Sequence, residues 1–202
     1  MSDLKLPHTF YERDDVVQIA KELLGKVLCT NFDGQFTSGM IVETEAYNGR
    51  TDRACHSFIH GKTERTKVMF GEPGYAYVYL CYGIHHLFNV VTNRKGLADA
   101  VLIRGIEPID GIDTILERRN KTKLVRAVGG GPGIASQALG ITTNDYGTDL
   151  SGELIWIEDR GIAIKDSEII ASPRVGVDYA GEDAKLPWRF RVKDNGYTSP
   201  AS

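Results

Sequence analysis

The sequence predicts a mixed α/β protein of the α+β type, and three observations carry that expectation. Val16, Ile19, Ala20, Leu23 and Leu24 recur at the spacing of one helix face. Two pairs of alternating segments are joined by turn signals, at Asp33-Gly34 and around Gly83, as antiparallel hairpins require. The chain of 202 residues has no repeat, low-complexity tract or linker that would divide it, so residues 1–202 fit one domain long enough to bury a core without staples.

In chain order, Asp14 or Asp15 is placed to cap the first helix and Gly25 to end it. KVLCTNF (26–32) and QFTSGMIVETE (35–45) form the first hairpin, which puts Glu45 at the end of its second arm. A polar loop holds His56, and TERTKVM (63–69) reads as a short helix stopping before Gly71, Pro73 and Gly74. GYAYVYLCYG (74–83) and IHHLFNVVTN (84–93) form the second hairpin, with Tyr75, Tyr77 and Tyr79 on one face and Tyr82 at the tip. ADAVLIRGIEP (98–108) is a strand, a helix follows at about 109–119, and VGGGPGIASQALGI (128–141) is a glycine-rich loop opening another helix. ELIWIED (153–159), SEIIASPRVGV (167–177) and WRFRV (188–192) are further strands, and the chain from about residue 193 reads as a frayed tail.

Composition narrows the function. Charged residues at 25% and hydrophobic ones at 42% are ordinary for a globular protein, and the formal charge of -3 leaves any polyanion to a local basic face. Five basic residues between Arg118 and Arg126 read as a solvated loop. Cys29, Cys55 and Cys81 are unpaired in spacing, as in a reduced, cytoplasmic protein. The first fifteen residues lack the apolar core of a signal peptide, and no run approaches the roughly 18 apolar residues of a membrane span.

The chemistry concentrates in IVETEAYNGRTDRACH (41–56). Strand alternation puts Ile41, Glu43 and Glu45 on one face, and two carboxylates there need water, a basic partner or a chemical task. Arg104, embedded among apolar residues, needs a carboxylate or phosphate, and Glu45 is a candidate. Glu43 and Glu45 have Cα atoms about 6.5–7 Å apart, close to the carboxylate spacing of inverting sugar glycosidases. HSFIH (56–60) has the i, i+4 histidine spacing of a metal site, but the HExxH glutamate and a cysteine pair are missing and the segment reads as loop, so no metal is assigned. The glycine-rich loop fits neither dinucleotide nor Walker spacing, so no nucleotide cofactor is assigned either. A nucleic-acid-binding module without catalysis would need only the aromatics and a basic face.

VETEAY (42–47), AxHS (54–57), MFxxPGxxYVYxxYG (69–83), Asn89, LxRxxEP (102–108), GPxxxxQAL (131–139) and RVGVxxAGE (174–182), in this order, resemble the 3-methyladenine (alkyladenine) DNA glycosylase family over most of the chain. The resemblance implies a single compact domain around a curved antiparallel sheet with surrounding helices and a protruding β-hairpin, without cofactor or metal. It implies a monomer acting on duplex DNA that holds a damaged purine, at the nucleoid if the cell is bacterial. Alkylated, and also deaminated, purines would be flipped out and their N-glycosidic bond hydrolysed in base excision repair.

Carried over position by position, the resemblance makes Glu45 the general base for water and Arg104 its helper. Tyr47, His56 and Tyr79 would line the pocket for the excised base, Asn89 would crowd the amino group of a normal guanine, and Tyr82 would be the wedge in the minor groove. Lysine is absent from these positions, which implies a monofunctional hydrolase. The chain departs from the family pattern at Arg65-Thr66-Lys67, where asparagine often follows the arginine, so that loop's contacts do not carry over. Arg50, Arg53, Lys62, Arg65 and Lys67 are the basic residues available to line a DNA face.

Overall fold

The computed structural model describes residues 4–199. Its helices are α1 (His8–Tyr11), α2 (Val16–Glu22), α3 (His56–His60), α4 (Ile112–Arg118) and α5 (Pro132–Leu139). Its strands are β1 (Val27–Phe32), β2 (Gln35–Tyr47), β3 (Ala76–Cys81), β4 (His85–Thr92), β5 (Asp99–Asp110), β6 (Ile155–Glu158), β7 (Ile169–Ser172) and β8 (Arg189–Val192). The α+β expectation holds: every strand pairing is antiparallel, in one sheet of order β3-β4-β5-β2-β1-β6, with β8 joining β2 to β7.

Local chemistry accounts for the elements. Asp15 caps α2 by accepting the Gln18 N–H at 2.9 Å, and Gly25 follows the helix at φ +84°. The five residues of the predicted stripe are all buried in the main core, each contributing roughly 1.5–3 kcal/mol for a Val, Leu or Ile. Asp33 and Gly34 have φ of 53° and 77° between the paired Phe32 and Gln35, the left-handed pair a two-residue hairpin turn needs.

β2 lies at the centre of the sheet. One edge pairs with β5; the other pairs first with β1 and then, over Glu43–Glu45, with β8. Pleating divides four neighbouring strands into two faces. Ala46, Val78, Phe88, Val90, Val101 and Ile103 face the core shared with α2 and α5. Glu45 and Tyr47, Tyr77 and Tyr79, Leu87 and Asn89, and Leu102 and Arg104 face the opposite way, around a single cleft.

The structure corrects several expectations. Ile41 does not share a face with Glu43 and Glu45: register shifts at Ile41/Glu43 and Glu43/Thr44 break the alternation, and Ile41 packs in the core. Residues 56–60 form a helical turn, and the expected helix at 63–69 is a 3-10 turn at Lys67–Phe70. The strand expected over 167–177 ends at Ser172. The expected frayed tail is docked as far as Ser199, because its backbone and side chains satisfy buried charge, as described below; residues 200–202 lie outside the described region. No helix among the described residues is long and apolar enough to cross a membrane.

Candidate active site

The cleft has a volume of about 490 Å³ and brings together Glu45, Tyr47, His56, Tyr79, Asn89 and Arg104, with Tyr82 at its rim. Among the described residues, no group of three His, Cys, Asp or Glu side chains is placed to hold a metal ion.

Its floor is charged. Glu45 is fully buried between β5 and β8, since Leu102 and Arg189 flank it on the two sides. Its Oε1 accepts the Val175 N–H at 2.8 Å and lies 3.3 Å from Arg104 Nη1, while Oε2 accepts the Tyr47 hydroxyl at 2.7 Å. Burial and the Glu45 charge push the Tyr47 hydroxyl well above its usual range, so it stays a donor. Each carboxylate oxygen carries two acceptor positions, so Oε2 retains one.

Glu43, two residues earlier, is held differently. Its Oε1 accepts Arg104 Nε and Arg189 Nε, both at 2.8 Å, and its Oε2 accepts the Ser199 N–H at 2.6 Å and the Ser199 hydroxyl at 2.9 Å. Burial raises the Glu43 pKa, but the Arg104 charge, the Ser199 amide and the Arg189 charge together hold it below the usual carboxylate range. Burial lowers the Arg104 pKa, and the charges of Glu45 and Glu43 more than offset that, so the guanidinium is held firmly in its cationic form. Glu43 does not line the cleft.

The walls are aromatic. His56 sits edge-on to Tyr79 with ring centroids 4.8 Å apart, and Tyr77 lies 5.4 Å from Tyr79. His56 Nδ1 is hydrogen-bonded to the Tyr77 hydroxyl at 2.9 Å. Burial, Arg65 and His60 pull the His56 pKa down to about 4, so the ring is neutral near pH 7. Asn89 Nδ2 donates to the carbonyls of Tyr77 (3.0 Å) and Leu87 (3.3 Å), which fixes the amide on the floor of the hairpin.

Outside the cleft, β3 and β4 continue to an exposed tip. Tyr82 is 90% exposed with φ 51°, a left-handed conformation that a bulky residue rarely adopts, and Leu80 and Ile84 are exposed beside it. Back inside the cleft, the Arg65 guanidinium is part of the lining and lies 4.9 Å over the Tyr79 ring. Thr66, at the point of departure from the family pattern, is buried: its hydroxyl donates to the Gly61 carbonyl at 2.6 Å and accepts from the Thr63 N–H, closing that turn.

The scan against family models matches residues 9–196 to the methylpurine-DNA glycosylase family. The chain belongs to that family. It is accordingly a hydrolytic DNA N-glycosylase whose substrate is DNA. Relatives of the glycosylase include proteins named "Putative 3-methyladenine DNA glycosylase" from Alkaliphilus oremlandii (44% identical over 97% of this chain and 99% of the relative) and Bacillus cereus (45%, with the same coverage). A third, from Chlamydia abortus, is 46% identical over 92% of this chain and 96% of its own length, and carries the same name.

Several parts of the site were not singled out in the sequence. The Val175 amide has no side-chain signal at all. Arg174 pairs with both oxygens of Asp52, donates to the Ala46 carbonyl at 2.9 Å and stacks between Tyr47 (4.8 Å) and Trp188 (5.2 Å), so it fixes the loop that delivers Val175. Arg189 was legible: it is an arginine inside an apolar strand, the same signal that marked Arg104.

Proposed function

We propose that this glycosylase flips alkylated purines out of duplex DNA into the cleft and hydrolyses their N-glycosidic bond with water activated by Glu45, leaving an abasic site. The observation that carries the reading is the contrast between the two carboxylates. Glu45 opens onto the aromatic cleft, whereas Glu43 is closed off by four donors.

The physical chemistry is consistent at each step. A stacked base is out of reach, so extrusion costs a few kcal/mol, and an aromatic wedge at an exposed tip offsets part of that by filling the gap. Tyr82 meets this need by its exposure and its place at the rim. An alkylated purine such as 3-methyladenine is cationic, and between the faces of Tyr47 and Tyr79 it gains about 0.5–2 kcal/mol that a neutral base does not. Neutral His56 adds no opposing charge and offers a hydrogen bond to the base edge, and Asn89 crowds a guanine amino group. Because such a base leaves readily, one carboxylate activating water suffices, and the negative charge of Glu45 stabilises the developing sugar cation. Arg104 fixes Glu45 and the water it activates. Deaminated purines are neutral, lack the cation–π gain and are released more slowly.

The sugar-glycosidase reading needs two working acids, and the enclosure of Glu43 speaks against it. No lysine lines the cleft among the described residues, which supports a monofunctional hydrolase. The test is incubation of the purified protein with methylated duplex DNA, followed by chromatography of free bases and a strand-integrity gel. Free 3-methyladenine with an uncut strand is expected. Binding without release, or release coupled to strand cleavage, would overturn the reading.

A further inference from the structure

We infer that Ser199 is a positioning residue for base excision: by holding Glu43, it seats Arg104 against Glu45. The inference rests on the reading of Glu45 as the base.

Arg104 divides its guanidinium between two carboxylates, with Nε 2.8 Å from Glu43 and Nη1 3.3 Å from Glu45. Glu43 is the nearer partner, so wherever its carboxylate sits, the head of Arg104 follows. Two of the four donors to Glu43 come from Ser199, both on Oε2. The Ser199 carbonyl in turn accepts from Arg191 Nη1 at 3.0 Å and Arg189 Nη2 at 3.3 Å, and Arg189 also reaches Glu43. Serine, arginine and glutamate thus close a ring behind the catalytic pair.

The segment leading to Ser199 is built in. Asn195 donates to Glu107 at 2.7 Å, and Arg126 Nε donates to the Thr198 carbonyl at 3.0 Å. The Tyr197 carbonyl lies so close to Gly105 and Gly130 that a Cβ at either would approach it to 2.9 Å, a contact real Cβ atoms essentially never make. None of residues 193–199 lines the cleft, so Ser199 acts without touching the base.

Without the Ser199 donors, buried Glu43 keeps only its arginine partners. An under-satisfied carboxylate in that place draws the Arg104 head toward itself and away from Glu45. The expected outcome is a loss in the chemical step at unchanged DNA affinity, because the aromatic walls and Tyr82 are untouched.

The test compares Ser199→Pro, which removes both donors, Ser199→Ala, which removes the hydroxyl alone, and Ser199→Thr, which keeps both. Single-turnover base release is measured beside affinity for a duplex carrying an uncleavable abasic-site analogue. Ser199→Pro should release base roughly 100-fold more slowly, the scale of a misplaced catalytic group. Ser199→Ala should be about fivefold slower, Ser199→Thr should match the parent, and all affinities should stay within about twofold. A parental rate for Ser199→Pro, or a rate loss matched by an equal affinity loss, would overturn the inference. Should Ser199→Pro fail to fold, equal rates for the alanine and threonine variants overturn it. Glu45→Gln run alongside separates the two claims: if it is inactive while Ser199→Pro is fully active, the positioning role alone fails, and if it is active, the reading of Glu45 fails first.

Discussion

The floor under Glu45 and the hairpin tip at Tyr82 are opposite solutions to placing a functional side chain. On the floor, Glu43 and Glu45 are wholly buried, and each carboxylate has at least three donors within 3.3 Å. At the tip, Tyr82 is 90% exposed on a left-handed backbone, with exposed Ile84 beside it. Folding satisfies the first region and leaves the second exposed. The floor therefore holds its charges oriented before substrate arrives, which is how a preorganised site stabilises charge in the transition state. The tip leaves apolar surface exposed, as the proposed wedge requires.

The difference predicts that damage to the floor costs stability as well as rate, while damage to the tip costs DNA affinity alone. The largest effect is expected at Arg174. Arg174→Met leaves Asp52 buried without its partner and should cost about 3–5 kcal/mol of unfolding free energy, read from denaturant midpoints. Next is Tyr82→Ala, which should weaken binding to an abasic-site duplex about 10- to 100-fold, that is roughly 1.4–2.8 kcal/mol. Its unfolding free energy should change by less than about 0.5 kcal/mol. A Tyr82 variant that unfolds early would break the contrast.

A pH experiment sharpens it further. The His56 pKa is lowered from 6.5 to about 4 in the folded protein, so the unfolded chain binds a proton first as pH falls. The stability it contributes is intact above pH 6.5 and is lost as pH falls through about 4. Between pH 7 and pH 5 the parent should lose about 1–2 kcal/mol that His56→Gln does not. The smallest effect is expected for Tyr47→Phe, which removes one donor to Glu45 but keeps the ring. It should cost roughly 0.5–1.5 kcal/mol in the barrier, a slowing of about two- to tenfold, with base affinity preserved.

The same contrast governs what could be read from the sequence. The α2 stripe, the Asp33-Gly34 turn and the alternation of Tyr77 and Tyr79 are local patterns, and the structure keeps them. Arg104 stood out because an apolar strand rarely carries a guanidinium without a partner. Local alternation does not place Ile41, because the β2 register shifts depend on the distant strand β5. HSFIH is too short for periodicity to distinguish a helical turn from a loop. KDNGYTS is polar in isolation and predicts a frayed tail; its order comes from Glu43, which needs the donors that Ser199 supplies. Contacts made by backbone amides, such as Val175 to Glu45, leave no trace in side-chain identity.

In the proposed mechanism Glu45 is the group that activates water. Glu45→Gln keeps the size of the side chain and removes its charge. In single-turnover assays on duplex DNA containing 3-methyladenine it should release base about 100- to 10,000-fold more slowly than the parent, with affinity for the damaged duplex retained. Release within about tenfold of the parent rate, at equal affinity, would contradict it.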